Sequence, residues 1–262
     1  MRAGARISYC MRATVKGKRT FDRQTAIAMA AIVLCFMLTL GLVYILGGEG
    51  FISAINQSEP SEKCYLLCVG AYEDISLARG AAELAASQGG AGYVIVGELN
   101  EVVLAAYRNE EDARKVLDAG GVGASAYLKE VAVGEMPVKW ARKEVRSSVE
   151  AALGYFGTVF DCFYETANLL AQDRLTLQDA RTRVAVCTAE VDELRADYLE
   201  AVREEEDQRH TEIKLALVTA LALLDNAELS GYTATELSAA SSMRYQLVQL
   251  VICREALFAA LQ

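Results

Sequence analysis

The stretch "AYEDISLAR", from Ala71, returns thirty-five residues later as "AYRNEEDAR", from Ala106. Each copy gives Ala-Tyr, a capping-type residue two positions on (Asp74, Asn109), then Ala-Arg (Ala78-Arg79, Ala113-Arg114). An apolar run leads into each copy, "CYLLCVG" into the first and "EVVLA" into the second. Asp and Asn side chains accept the orphan N–H bonds of a helix's first turn, so Asp74 and Asn109 mark two helix starts. The helical texts that follow, "DISLARGAAELAASQGG" and "NEEDARKVLDAGG", both stop at glycine, as helices commonly do. A strand feeding a capped helix, written twice, limits this region to a duplicated β-α-β unit. "GYVIVG" (Gly92–Gly97) and "SAYLKEVAV" (Ser125–Val133) supply the remaining strands. The order over residues 64–133 is β-α-β-β-α-β, a split sandwich with a four-stranded antiparallel sheet.

Ahead of this region lies "TAIAMAAIVLCFMLTLGLVYIL" (Thr25–Leu46), 22 residues without a charge. A bilayer core takes about 20 apolar residues of helix, and a globular core helix seldom stays apolar on every face for so long. A cleaved secretory signal carries a shorter apolar core, about 7–15 residues, before a small-x-small site. "GGEGFISAINQ" offers no such site, so the stretch reads as a retained transmembrane helix. Residues 1–24 hold seven Lys/Arg against one acid, a net of +6. Of the chain's 26 bases and 35 acids this leaves 19 and 34 for the rest, a net of −15. A basic flank stays cytoplasmic, which puts the C-terminal region outside a single-pass cell-membrane protein. Residues 47–63 then form a linker reaching about 60 Å at most.

Residues 137–262 read as helix. Val145, Val149, Ala152, Phe156, Phe160, Phe163, Ala167 and Leu170 recur at three-and-four spacing, the mark of one buried helical face. "TLQD", with Thr176 and Asp179, is a box-like start. Val184, Cys187, Val191, Leu194, Tyr198 and Ala201 continue it as a coiled-coil-like seam. The seam fails at "EEEDQRH" (Glu204–His210) and resumes with Ile213, Leu217, Ala220 and Leu224. "TATE" (Thr233, Glu236) opens a last helix to Leu261. About three long helices, the middle one kinked at the acidic run, predict an antiparallel bundle. The alternative is an extended coiled coil that forms a homodimer. The fold class expected for the whole is α+β.

At the doubled region a family resemblance enters. "YLLCVGAYEDISLARGAAELAASQG" resembles the first half of a SPOR domain, usually written aromatic-x-Val-Gln-Val-Gly-Ala-Phe before a capped helix. "NEVVLAAYRNEEDARKVL" resembles its second half, x-Val-Arg-Val-Gly-Pro-Phe and then Glu-x-Ala. The family's glutamine falls on Cys68 and its Gly-Pro on Ala105-Ala106. The resemblance implies a bitopic membrane protein that binds peptidoglycan glycan strands, particularly those stripped of stem peptides, in cell division or sporulation. It also implies a sheet with its first and third strands central and one face open to glycan. Alternation then sends Leu67, Val69, Val102 and Leu104 to the domain's own helices. Leu66, Cys68, Glu101 and Val103 line the other face and are the candidate glycan-binding residues. Three of these four are apolar or nearly so, and strands apolar on both sides are usually covered on both. The same four are therefore, alternatively, a packing face buried under the C-terminal helices or a second copy.

Little else carries chemistry. His210 is the only histidine and stands in a charge-rich stretch, where a solvated position is expected. Glu204, Glu205, Glu206 and Asp207 point different ways on one helix and read as a solvated face rather than a cation site. Tyr72 and Tyr107 are expected to cover core. Cys64 and Cys68, on one strand, lie about 13 Å apart, too far to bridge; Cys162 and Cys187 fall at or beside helical core positions. No cofactor, metal or catalytic residue is indicated, so the chain is expected to be a binding protein and not an enzyme. The β-α-β-β-α-β order is shared with RNA-recognition domains, but the acidic C-terminal region repels phosphate and excludes nucleic acid as partner. Two functions remain: glycan binding, or a scaffold whose sheet packs on its own helices or a partner.

Overall fold

The computed structural model describes residues 63–134, 138–227 and 235–262. The basic tail, the expected membrane span at 25–46 and all but the last residue of the linker lie outside these. Among the described residues, no helix is long and apolar enough to cross a membrane. Strands β1 (Lys63–Tyr72), β2 (Tyr93–Ile95), β3 (Asn100–Tyr107) and β4 (Tyr127–Ala132) pair antiparallel in the order β2-β3-β1-β4. Helix α1 (Ile75–Ser87) follows β1 and α2 (Glu110–Asp118) follows β3, so the chain is α+β with the β-α-β-β-α-β order.

The echo in the sequence becomes two equivalent corners. The Asp74 carboxylate accepts from the Ser76 N–H at 2.7 Å, and the Asn109 amide oxygen from the Glu111 N–H at 2.8 Å. Each cap contributes about 1 kcal/mol. Ala78 and Ala113 are fully buried while Arg79 and Arg114 face water. An alanine at that place lets each helix lie close on the sheet. At the far end of α1, Gly92 holds φ of +60°, and a Cβ there would lie 2.5 Å from the Ala82 carbonyl oxygen. Only glycine fits that return into β2.

The central strand pair is not regular. Leu67 pairs with Ala105, Cys68 with Val103 and Gly70 with Val102, so Leu104 and Val69 are each skipped. Such bulges reset which face a strand presents. Val103 and Ala106, three residues apart, consequently both join the core on the bundle side, which strict alternation forbids. Val69 and Val102 turn the other way, to Ala78 and Ala82 of α1.

The C-terminal region is α3 (Lys143–Leu153), α4 (Tyr155–Ala171), α5 (Leu177–Ala201), α6 (Gln208–Asp225) and α7 (Glu236–Leu261), after a 3-10 turn at Val138–Trp140. Among the described residues, the expectation of about three long helices is corrected to five. The first breaks at Gly154, whose N–H is shared between the Glu150 and Ala151 carbonyls. The second ends at Val202, and Asp207 caps α6 by accepting from the Arg209 N–H at 2.9 Å. Four successive acids oppose the negative end of α5 and favour the positive start of α6, so the helix breaks among them. The last helix takes its cap two residues later than "TATE" suggested, at Thr235: the Thr235 hydroxyl accepts from the Ser238 N–H, and the Ser238 hydroxyl accepts in turn from the Thr235 N–H.

Helix α7 lies against β2, β3, β4 and α1 on one side and against α4 and α6 on the other. Its buried residues, among them Ala240, Met243, Leu247, Val251, Leu257 and Leu261, fall on all sides, as a helix with two packed flanks requires. One core thus runs from Cys64 of β1 to Leu261 of α7. The change of texture near residue 135 separates kinds of secondary structure, not cores.

Candidate functional site

The four residues expected on one sheet face do share it. Leu66, Cys68 and Val103 are fully buried in the core that β1 and β3 build with the C-terminal helices. Helix α7 is held over this face by polar and apolar ties. The Ser241 hydroxyl donates to the Gly90 carbonyl at 2.7 Å, and Arg244 donates to the Gly89 carbonyl and, at 3.1 Å, to the Asn168 amide oxygen. The Tyr93 and Tyr245 rings meet at 5.0 Å. Phe258 packs so closely on Gly134 that a Cβ there would lie 2.5 Å from its ring.

Glu101 alone stays at the rim, its side chain 19% exposed. It accepts from the Tyr127 hydroxyl at 2.5 Å and forms an ion pair with Lys129 of β4. Burial would raise the Glu101 carboxyl, but the bonds from Lys129 and Tyr127 outweigh it and hold the group below its ordinary value. Burial, and then the Glu101 charge, push the Cys68 thiol up to about 11. Tyr127 is raised by burial and by its bond to Glu101. The corner is therefore a carboxylate clamped between a phenol and an ammonium, beside a neutral thiol. It has hydrogen-bonding capacity for a polar ligand and no activated nucleophile. Tyr127 and Lys129 escaped notice in the sequence, although the alternation Tyr127, Lys129, Val131, Val133 in "YLKEVAV" puts them on the same face as Glu101.

A concavity of about 560 Å³ lies between α1 and α7, lined by Arg79, Glu83, Ser238, Ser242, Tyr245 and Gln246 among others. The buried Gln246 amide donates to the Asn226 carbonyl at 3.2 Å while its oxygen finds no partner.

The charge-rich stretch departs from expectation. His210 is buried rather than solvated, its Nδ1 2.7 Å from the Tyr198 hydroxyl and its ring 5.1 Å from that of Trp140. Burial lowers the imidazole below its ordinary value, against the attraction of Asp207 and Glu205. The acids are not a uniform solvated face either. Glu205 pairs with Arg142, and Asp207, held down to about 2 by the Arg209 side chain and N–H, is the cap of α6. Periodicity hid this because His210 belongs to the start of a new helix, out of phase with the seam before it. Tyr72 packs on Ala78, Ala82 and Val102, and Tyr107 meets Tyr164 edge-on at 6.1 Å. Among the described residues, no cluster of three or more His, Cys, Asp or Glu has the arrangement to hold a metal.

Comparison of the chain with family models, with curated proteins and with solved structures finds no match.

Proposed function

We propose that this chain is a single-pass membrane protein whose extracytoplasmic part is an interaction scaffold, a binding protein and not an enzyme. In this reading the SPOR-like sheet is a docking platform already filled by the chain's own last helix. One observation carries it: Leu66, Cys68 and Val103, the face a glycan strand would need, are fully buried beneath α7. Partners are then met by outer surfaces. Leu77 and Leu84, two turns apart on α1, are 63% and 60% exposed, and Leu215 and Val218 stand exposed on α6. In this reading these exposed apolar side chains are the points of contact.

Glycan binding stays as the second reading because the Glu101–Tyr127–Lys129 corner of the same face remains partly accessible. Co-sedimentation of the full chain, in detergent, with purified sacculi separates the two. The scaffold reading expects no retention, whether or not an amidase has stripped the stem peptides. Retention that grows on stripping would overturn it in favour of glycan. Topology has its own test: a reporter fused after Gln262 that works only outside the cytoplasm should be active, and one that works only inside should be silent.

A further inference from the structure

Two thiols meet where α4 lies against α5. The Cys162 Sγ is 4.0 Å from the Arg183 carbonyl oxygen, and the Cys187 Sγ is 3.8 Å from the Thr158 carbonyl oxygen. Arg183 stands one helical turn before Cys187, and Thr158 one turn before Cys162. Each sulfur therefore reaches across to the turn beside its counterpart, which brings the two thiols side by side. The short connection between Ala171 and Leu177 keeps the two helices side by side. The environments differ: Cys187 is buried, whereas Cys162 is partly open to solvent.

We propose that Cys162 and Cys187 form a redox-active dithiol that closes to an intramolecular disulfide, with Cys162 as attacking sulfur and Cys187 as resolving sulfur. The co-reactant is a small or protein disulfide, RS–SR. The Cys162 thiolate attacks one of its sulfurs, a mixed disulfide forms, and RS⁻ leaves. The Cys187 sulfur then attacks Cys162 Sγ, the second RS⁻ leaves, and the Cys187 proton passes to it. Two protein thiols are oxidised and one external disulfide is reduced to two thiols. The order of attack follows from the site. The bond from Cys187, against the pull of burial, and the Arg183 guanidinium hold Cys162 below an ordinary thiol, while that same bond and burial raise Cys187. The thiolate is the nucleophile in such exchange. The consequence is a covalent staple between α4, on which α7 packs, and α5. It goes beyond the scaffold reading, and an extracytoplasmic position would supply the oxidising surroundings in which such bonds persist.

The purified full chain, reduced and then freed of reductant, is incubated with oxidised glutathione, quenched with acid and maleimide, and mapped by mass spectrometry. The expected product is a cross-linked peptide pair holding Cys162 and Cys187, lighter by two hydrogens than the separate reduced peptides, with Cys68 alkylated as a thiol. In Cys187→Ala, glutathione should accumulate on Cys162; in Cys162→Ala, Cys187 should stay reduced. The wild-type map stands whether or not the variants fold. The proposal is overturned if both thiols stay reduced under glutathione that oxidises a vicinal dithiol standard. It is equally overturned if Cys162 couples chiefly to Cys253 or to a second chain, or if Cys187 takes up glutathione as fast as Cys162.

Discussion

Replacing Val103 by glutamate probes the covered face directly. Val103 is fully buried, paired with Cys68 of β1 on one side and Tyr93 of β2 on the other. A carboxylate placed there stands between Cys68 and Tyr93 in an apolar core, so its least costly state is the neutral acid. Holding a group that titrates near 4.3 protonated at pH 7 costs about 3.7 kcal/mol, from about 1.36 kcal/mol per unit of pH. Burying the neutral carboxyl without a partner adds about 1–3 kcal/mol. The loss of about 5–7 kcal/mol compares with a whole domain stability of about 5–15 kcal/mol, so the variant should be unfolded or nearly so at pH 7. The protonation part shrinks to about 1 kcal/mol at pH 5, so the deficit relative to wild type should narrow by about 2.7 kcal/mol. Val103→Ala leaves a cavity, costs about 1–3 kcal/mol and should show no such pH dependence. Urea unfolding followed by circular dichroism at both pH values measures all three. If Val103→Glu stays within about 0.5 kcal/mol of wild type, as surface substitutions do, the face is open and the burial reasoning fails.

Three further outcomes follow from particular contacts. His210 is the only histidine and its folded pKa is lowered by burial; the unfolded chain then binds the extra proton first, and stability, complete above about pH 6.5, should fall as pH drops below that value. His210→Phe should flatten the slope of Tm against pH between about 5 and 7, and an unchanged slope would show the imidazole to be solvated. Gly92→Ala forces a positive φ on alanine and a Cβ against the Ala82 carbonyl, so a loss of about 2 kcal/mol or more is expected in the same urea assay. Arg254 is buried with Nε and Nη1 unpartnered, its guanidinium 5.6 Å and 5.3 Å from the Tyr155 and Phe156 ring centres; Arg254→Met should be neutral or raise Tm, whereas a fall of many degrees would reveal an essential charge contact.

The repeat was legible because helix caps are local. Asp74 and Asn109 need only their own following turns, and both appear where the text placed them. The α+β class followed from the same pairing, whereas the central position of β1 and β3 was implied by the family resemblance. The bulge at Leu104 was not legible, since a skipped residue leaves the composition of a strand unchanged and only its partner reveals the slip. Gly154 and the acidic run marked the helix breaks, but whether a glycine kinks a helix or passes within it is settled by what packs on either side. The burial of Leu66, Cys68 and Val103 was readable from the apolar faces of "YLLCV" and "EVVLA". The identity of the cover was also written, in an α7 text, "SAASSMRYQLVQLVICREALF", too apolar all round for a surface helix. His210 shows the limit of such reading: its burial depends on Trp140, distant in sequence, and on Tyr198 of the preceding helix closing over it.

The energetics of the covered face bear on what it is able to bind. For a ligand to reach Leu66, Val103 and Val131, α7 must leave and those side chains must be wetted. At about 1.5–3 kcal/mol for each fully buried aliphatic side chain, the three alone cost about 5–9 kcal/mol, before the matching surface of α7 is counted. Micromolar binding supplies only about 8 kcal/mol and millimolar binding about 4, so a ligand displacing α7 would spend nearly all of its affinity on opening the site. A partner that meets the exposed leucines of α1 and α6 incurs no such cost. The same argument makes the rim a separate matter: Glu101 is reached without moving α7, and its carboxylate already has both oxygens engaged by Tyr127 and Lys129. Binding at that corner should therefore be sensitive to Glu101→Gln and indifferent to changes in α7, whereas binding to the buried face would respond to both.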